Sequence, residues 1–446
     1  MTRAMALCTG LLACLPLAGL AQDGPSTDEP YGCRAYEYSA ALPSVQGKDG
    51  VFFRTFADLR LQHPMDDRTI AQMGHLAKVL AENGTTLVYV TIPAKSQAMA
   101  DYLPAHAADY GFDSGIAEDV YNDITSRLRA AGIVAPDMMA ALQGASGNER
   151  AFFGADFHWT SEGARLGAMA IGEAIKADPA YADLTPQVFV STPVGREVAF
   201  SGMRRTLQGF CTESLPPTET TVYKTEAVAS ADDAGGALDI FAGQSDTLSA
   251  VLVGTSFSDS PINNFGGFIS EYTGLDLVNY AITGGNQYGA ITSYLTSDEF
   301  KDQRPRFLIW ENPIYNNLAQ YGSAAMEELI AAAGGSCTVP LDVTQIDDTT
   351  VEAALDTLKI GPQDAIFADF GAEGARVADF VLTTTDGIDR HAKIERGARL
   401  RGTGNFYLGM GPYRHPGFAS VRVSFDRPVT SDTSLTFCPT IKGDAS

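Results

Sequence analysis

The stretch Val251-Leu252-Val253-Gly254-Thr255-Ser256-Phe257-Ser258 decides the fold. An apolar run from Ala250 to Val253 breaks at Gly254 and passes into small and polar positions. Such a run reads as a strand buried on both faces, as parallel strands under helices are. Its Gly-x-Ser end places Ser256 in the crevice where open α/β sheets bind ligands. There the serine's own N–H faces the position at which an oxyanion develops. Ser256 is the candidate nucleophile; capping the turn that residues 259–263 enter is the alternative role.

The same pattern recurs on either side. Residues 275–282 form an apolar strand running into Thr283-Gly284-Gly285-Asn286, and residues 306–310 run into Glu311-Asn312-Pro313. Each delivers small or amide residues to one edge of the sheet. Gly284, Gly285 and Asn312 are therefore candidate oxyanion donors, with turn formation and helix capping as their alternatives. Upstream, Ile70, Met73, Leu76, Ala77 and Leu80 fall at helical spacing over residues 68–82, and Asn83-Gly84 ends that helix. Residues 86–92 are a buried strand and residues 116–131 a second helix. Gly132-Ile133-Val134 begins another strand, and Thr160 or Ser161 caps a helix over 162–176. Alternating strands and helices imply an open, mostly parallel sheet covered on both faces, that is, an α/β domain.

The pattern changes near residue 335, at Gly334-Gly335-Ser336. Short β-forming pieces follow at 364–368, 377–383, 405–409 and 419–425, as in a small β-sandwich. The expected organisation is a leader over 1–21, an α/β domain over 22–330 that begins with an irregular lead-in to residue 50, and a β-sandwich over 336–446.

A base is sought among six histidines. His75 lies in an amphipathic helix, and His63 and His106 have nothing reactive beside them. His158 stands in Asp156-Phe157-His158-Trp159, just before a capped helix. Asp156 there can hold one ring nitrogen and leave the other as a base. The alternative is a loop pair that only caps the helix.

The 446 residues carry 31 basic and 54 acidic side chains, a formal charge of −23. That excludes a nucleic-acid binder, which needs a basic surface, but leaves room for a local basic patch. Arg3, an apolar run to Leu20 and the small-x-small Gly19-Leu20-Ala21 read as a signal peptide cleaved after Ala21. The alternatives are a membrane anchor and, at Leu12-Ala13-Cys14, a lipoprotein box. Cys33, Cys211, Cys337 and Cys438 remain after cleavage, and two disulfides are the default for an exported chain. Of three connectivities, Cys33–Cys211 with Cys337–Cys438 gives one bridge to each domain. No two of these cysteines are close in sequence, so no zinc site is expected. Nothing reads as a nucleotide-binding loop, and no cofactor is expected.

Asp-x-His-Trp ahead of Gly-Thr-Ser-aromatic-Ser resembles the alginate O-acetyltransferase family (AlgX and AlgJ) of the SGNH hydrolase-like superfamily. Residues 47–53 (Gly-Lys-Asp-Gly-Val-Phe-Phe), Thr91-Ile92-Pro93-Ala94-Lys95, Ser297-Asp298-Glu299-Phe300 and the Ile309-Trp310-Glu311 strand end add to the likeness, which covers roughly residues 45 to 320. The β-rich region bounded by cysteines is closer to the AlgX branch. The resemblance implies Ser256 as nucleophile, His158 as base and Asp156 as its orienter. It also implies a carbohydrate-binding module after the catalytic domain, a soluble periplasmic protein, and an acetyl donor that is a protein or a small molecule. One departure stands out: the strand end continues as Asn312-Pro313-Ile314-Tyr315, without the nearby arginine usual in the family.

Residues 381–427 hold eight Lys and Arg against four acids, a positive patch in an acidic chain. Arg390, Lys393, Arg396, Arg399 and Arg401 are candidate contacts for an acidic, alginate-like polysaccharide, with Tyr407 and Tyr413 stacking on sugar rings. Arg399 and Arg401, two apart on a strand, would share a face. The expected reaction is acetyl transfer to sugar hydroxyls through an acetyl-enzyme, within an export or acetylation complex. Deacetylation by the same residues and a non-catalytic scaffold are the rivals.

Overall fold

The computed structural model describes residues 30–440 except 64, 146–148, 229–247, 321 and 336. The expected leader, residues 1–21, and Ser336 of the expected linker lie outside the described residues. The described chain opens with the hairpin β1 (Ser44–Gln46) and β2 (Phe52–Arg54). Next come α1 (Asp67–Glu82), β3 (Thr86–Ile92), α2 (Lys95–Ala98), α3 (Ser114–Ala130), α4 (Met138–Gln143) and α5 (Ser161–Ala177). The antiparallel ribbon β4 (Phe189–Val198) and β5 (Glu219–Ala227) brackets α6 (Gly202–Gln208). The chain then returns through β6 (Ala250–Val253), α7 (Ser256–Asp259), α8 (Phe265–Thr273) and β7 (Leu277–Asn279). It continues through α9 (Gly289–Leu295), α10 (Asp298–Asp302), β8 (Phe307–Pro313) and α11 (Ala324–Gly334).

Four of these strands form an all-parallel sheet in the order β3-β8-β6-β7. Every residue of β6 and β8 is buried, so helices cover both faces of the sheet. Local signals set the helix ends: Asp66 accepts the Thr69 N–H at the start of α1, and Gly84 takes a positive φ just beyond its end. Thr160 caps α5 by accepting from the Gly163 N–H.

Two expected strands are shorter than the sequence suggests. Residues 132–134 contribute only a single parallel bridge, Val88 to Val134. Pro136 follows two residues later, where its ring removes an N–H from any ladder. Of residues 275–282 only Leu277–Asn279 forms a regular strand; beyond it the Asn279 side chain takes the Ala281 N–H, while the Tyr280 and Ile282 N–H groups still donate to Leu252 O and Gly254 O at 2.8 and 3.1 Å.

Beyond α11 the chain is all-β. The elements are β9 (Val339–Pro340), β10 (Val343–Gln345), β11 (Thr350–Ala354), β12 (Ala365–Asp369) and β13 (Val377–Thr384). They are followed by β14 (Asp389–Glu395), β15 (Asn405–Gly409), β16 (Phe418–Phe425) and β17 (Ser434–Cys438). Two antiparallel sheets, β10-β11-β16-β13-β14 and β15-β12-β17-β9, enclose a separate core that includes Phe380, Val421, Ile366 and Phe406. Alternating burial along β13 is the pattern of a strand with one face inward.

The two disulfides are Cys33–Cys211 and Cys337–Cys438. The first ties the lead-in to the end of α6, where Cys33, Tyr36 and Phe52 pack with Met203 and Leu207. The lead-in is therefore anchored and partly regular. The second ties the entry of the β region to its last strand. Among the described residues no helix is long and apolar enough to cross a membrane.

Candidate active site

Three segments meet at the carboxyl edge of the parallel sheet. β6 ends at Val253, and Ser256 opens the single turn of α7. The loop before α5 carries Asp156 and His158. Ser201, at the start of α6, reaches the same place. His158 Nε2 lies 2.8 Å from Ser256 Oγ, and His158 Nδ1 lies 2.7 Å from Asp156 Oδ1. The same carboxylate oxygen accepts the His158 backbone N–H at 2.8 Å, while Asp156 Oδ2 accepts from Ser201 Oγ at 2.5 Å.

These contacts fix the protons. Burial alone pushes the Asp156 carboxyl up, but the hydrogen bonds and charge of His158 and the Ser201 hydroxyl outweigh it and hold the group below the usual carboxylate range. A carboxylate accepts from Nδ1–H, which leaves the Nε2 lone pair for the Ser256 proton. The His158 side chain is 27% exposed and that of Asp156 5%, so the reactive end opens outward and the orienting end is sealed. Trp159, fully buried, donates its indole N–H to the Phe257 carbonyl at 3.0 Å and so ties the histidine loop to the serine turn.

The expected oxyanion donors are arranged differently. Among the described residues the Ser256 N–H has no acceptor. The Gly285 N–H donates to Ile282 O at 3.0 Å in a turn. Asn312 is buried, with its amide facing Gln287 O at 3.4 Å and its oxygen accepting from Asn316 at 3.0 Å. Neither is a free donor in this arrangement. Gly284, at positive φ, lies against the Arg399 guanidinium, which a Cβ there would meet at 3.1 Å.

Gly284 and Gly285 instead wall a cleft of about 730 Å³ between the α/β and all-β regions. The wall is continuous with the nucleophile turn: Ile282 N–H donates to Gly254 O at 3.1 Å, and Thr283 N–H donates to Asp259 Oδ2 at 2.8 Å. Lys393, Arg399 and Tyr413 line the cleft. Arg390 is exposed on β14. Three of the candidate sugar contacts, Arg396, Tyr407 and Arg401, have structural partners instead, and Lys393 pairs with Glu395 at 2.7 Å. Arg396 is buried and forms a bidentate pair with Glu328 of α11 at 3.0 and 2.5 Å. Tyr407 is 5% exposed, its ring stacked on Phe367 at 4.4 Å, and belongs to the core of the α/β region. Arg399 and Arg401 are not on a strand; Gly397, Gly402 and Gly404 keep this stretch a loop. Arg401 is held by Glu299 at 2.6 Å and by Glu373.

Three neighbours of the array escaped the sequence reading. Ser201 gave no signal beyond being a capping residue. Arg54 pairs with Asp58 and places its guanidinium 4.2 Å over the Phe157 ring and 4.6 Å over the Tyr315 ring. Glu311 did give one, as a carboxylate in a strand whose other residues are apolar except Asn312.

Fold and site together define an SGNH hydrolase-like domain joined to an all-β module, with a serine–histidine–aspartate array at the sheet edge. A family profile described as the SGNH hydrolase-like domain of acetyltransferase AlgX matches residues 45–314, and the chain belongs to that family. The alginate biosynthesis protein AlgX of Pseudomonas aeruginosa is 32% identical over 334 residues, 71% of this chain and 68% of that protein. The AlgX of Azotobacter vinelandii is 30% identical over 66% of this chain and 59% of its own length. The probable alginate O-acetylase AlgJ of P. aeruginosa is 30% identical over 65% of this chain and 75% of its own. Among solved structures, P. aeruginosa AlgX aligns with a TM-score of 0.74 at 24% identity, over 89% of this chain and 94% of that one. The fold is thus shared through both regions. The O-acetyltransferase domain of Pseudomonas putida AlgJ aligns with a TM-score of 0.51 over 64% of this chain.

Proposed function

We propose that this chain is a periplasmic O-acetyltransferase that places acetyl groups on hydroxyls of an acidic exopolysaccharide, with alginate mannuronate as the first candidate. The single observation that carries the reading is the Asp156–His158–Ser256 relay, whose serine turn is hydrogen-bonded through Asp259 to Thr283, next to the wall of the cleft that carries Lys393 and Arg399. In this reading residues 1–21 are a cleaved leader, residues 22–330 the catalytic domain and residues 336–446 a carbohydrate-binding module. The acetyl donor is a protein or small molecule of an acetylation and export complex.

The reaction runs in two displacements. His158 Nε2 takes the Ser256 proton as Oγ attacks the donor's acetyl carbonyl. The tetrahedral oxyanion faces the Ser256 N–H. Collapse breaks the bond to the donor's leaving oxygen, which receives the proton from His158, and leaves acetyl-Ser256. A sugar hydroxyl then gives its proton to His158 and attacks the acetyl carbon; collapse frees the ester and returns the proton to Ser256. Asp156 keeps the ring in the required tautomer and faces the imidazolium charge. Transfer prevails over hydrolysis when the acceptor is held in place, which is the part assigned to the cleft.

The test incubates the mature protein with an activated acetyl ester and mannuronate oligosaccharides and weighs the sugars. Acetyl mass gained only with intact Ser256 is the expected result. Ester loss without sugar acetylation would make the protein an esterase or redirect the search to another polymer. Absence of any Ser256-dependent ester loss would leave a binding scaffold.

A further inference from the structure

We infer that Glu311 and Lys95 are positioning residues, one for the nucleophile turn and one for the Asp156–His158 loop, and that the array is assembled only while both carry their charges. The inference rests on the reading of Ser256 as nucleophile. Neither side chain reaches solvent: Glu311 is 0% exposed and Lys95 1%.

Glu311 stands at the end of β8, under the turn that holds Ser256. Its carboxylate accepts the Thr255 N–H at 2.8 Å, the Thr255 hydroxyl at 3.0 Å and the Ser258 hydroxyl at 2.8 Å. The two residues it grips flank Ser256 along the chain. The approach is close enough to need a glycine: a Cβ on Gly254 would meet Glu311 Oε2 at 2.5 Å. Lys95 holds the other half. Its ammonium donates to the carbonyls of Phe52, Phe153, Gly154 and Asp156 at 2.6 to 2.9 Å. Three of these carbonyls lie within the five residues ahead of His158. Four carbonyl oxygens around one nitrogen can only be matched by N–H groups, and a neutral amine would set its lone pair against them.

Protonation of Glu311 replaces an acceptor with a hydroxyl among three donors; deprotonation of Lys95 removes a donor from four acceptors. Each change loosens one half of the array while the other stays bound. Burial pushes the Glu311 carboxyl up to about 7, against the hydrogen bonds from Thr255 and Ser258 and the charge of His158. Tyr89 of β3 and Tyr315 beyond β8 also face it. Burial draws the Lys95 ammonium down to about 7, against the charges of Asp58 and Asp156 and with those of Arg54 and Arg150. Both groups therefore change charge near neutrality, in opposite senses for the site. Activity falls on the acid side as Glu311 takes up a proton, and on the alkaline side as Lys95 loses one.

The experiment follows hydrolysis of p-nitrophenyl acetate by the mature chain between about pH 5 and 9, resolving kcat from KM, and labels Ser256 with a fluorophosphonate. The expected wild-type profile of kcat/KM is a bell. Glu311→Gln should lower kcat about a hundredfold with KM little changed and displace the acid limb. Lys95→Met should lower kcat and flatten the alkaline limb. If Lys95→Met does not fold, the wild-type alkaline limb decides that half, and a plateau through pH 9 would overturn it. Glu311→Gln with the wild-type kcat and an unchanged acid limb would overturn the other half. A wild-type protein that neither turns over ester nor labels at Ser256 would bring down the functional reading, and this inference with it.

Discussion

Ser256 and Arg399 lie on either side of one segment, Thr283, which bonds to Asp259 of the serine turn and to the Arg399 guanidinium, but they are held in opposite ways. Ser256 sits at the end of a fully buried strand, its flanking residues gripped by Glu311 and its hydroxyl by a histidine that is itself oriented. Arg399 is exposed on a glycine-bounded loop, and one contact of 3.4 Å, to the Thr283 carbonyl, holds its guanidinium. The α/β region thus carries fixed donors and acceptors, and the β region carries cations that can adjust. Chemistry at a carbonyl tolerates little misplacement, whereas a flexible, repeating polyanion is met by charges that need not be fixed.

If that division is right, Ser256→Ala should lower ester turnover and acetyl transfer by about four orders of magnitude or more and leave the affinity for uronate oligosaccharides unchanged. Steady-state kinetics and binding calorimetry on one preparation check both. Weakened sugar binding would break the comparison, because it would place the polymer on the array itself. The next effect lies at the joint between the regions. Arg396→Met leaves Glu328 buried without its partner, which costs about 3–5 kcal/mol. Thermal and denaturant unfolding should show it, with the site's chemistry unaltered below the transition.

The parallel strands and the array were legible because each depends on local pattern. Four apolar residues then Gly-Thr-Ser announce β6 and its turn, and Asp-x-His-Trp puts acid and base in one loop. Arg396, Tyr407 and Arg401 were misread because their partners, Glu328, Phe367 and Glu299, are distant in the chain, and nothing in a positive patch tells a paired cation from a free one. The glycines at 397, 402 and 404 were the missed local signal, since they argue against a strand through Arg399 and Arg401. The ribbon of β4 and β5 escaped because its exposed residues lack the alternation that marks a half-buried strand. Strand β14 escaped for the same reason, with no residue fully buried.

Arg399→Ala should weaken binding of an acidic glycan about fivefold, roughly 1 kcal/mol, with the loss shrinking as salt is raised. Turnover of a small acetyl ester should not change. Equal loss at low and high salt would mean that Arg399 packs against the polymer and does not act as a charge, which would blur the contrast with the α/β region.

Arg401→Ala sharpens the contrast from the other side and should have the smallest effect. Its guanidinium is engaged by Glu299 and Glu373 at a partly exposed site. Exposed pairs of this kind contribute about 0–1 kcal/mol, so the unfolding midpoint should barely move. Because two carboxylates already neutralise it, removal should also leave glycan affinity at low salt near the wild-type value. Arg399 and Arg401 are two residues apart in the same loop. Comparing the two variants therefore separates a cation that faces the cleft from one that closes the seam behind it. Equal losses of affinity would show that the polymer reads the net charge of the loop and not the placement of one guanidinium.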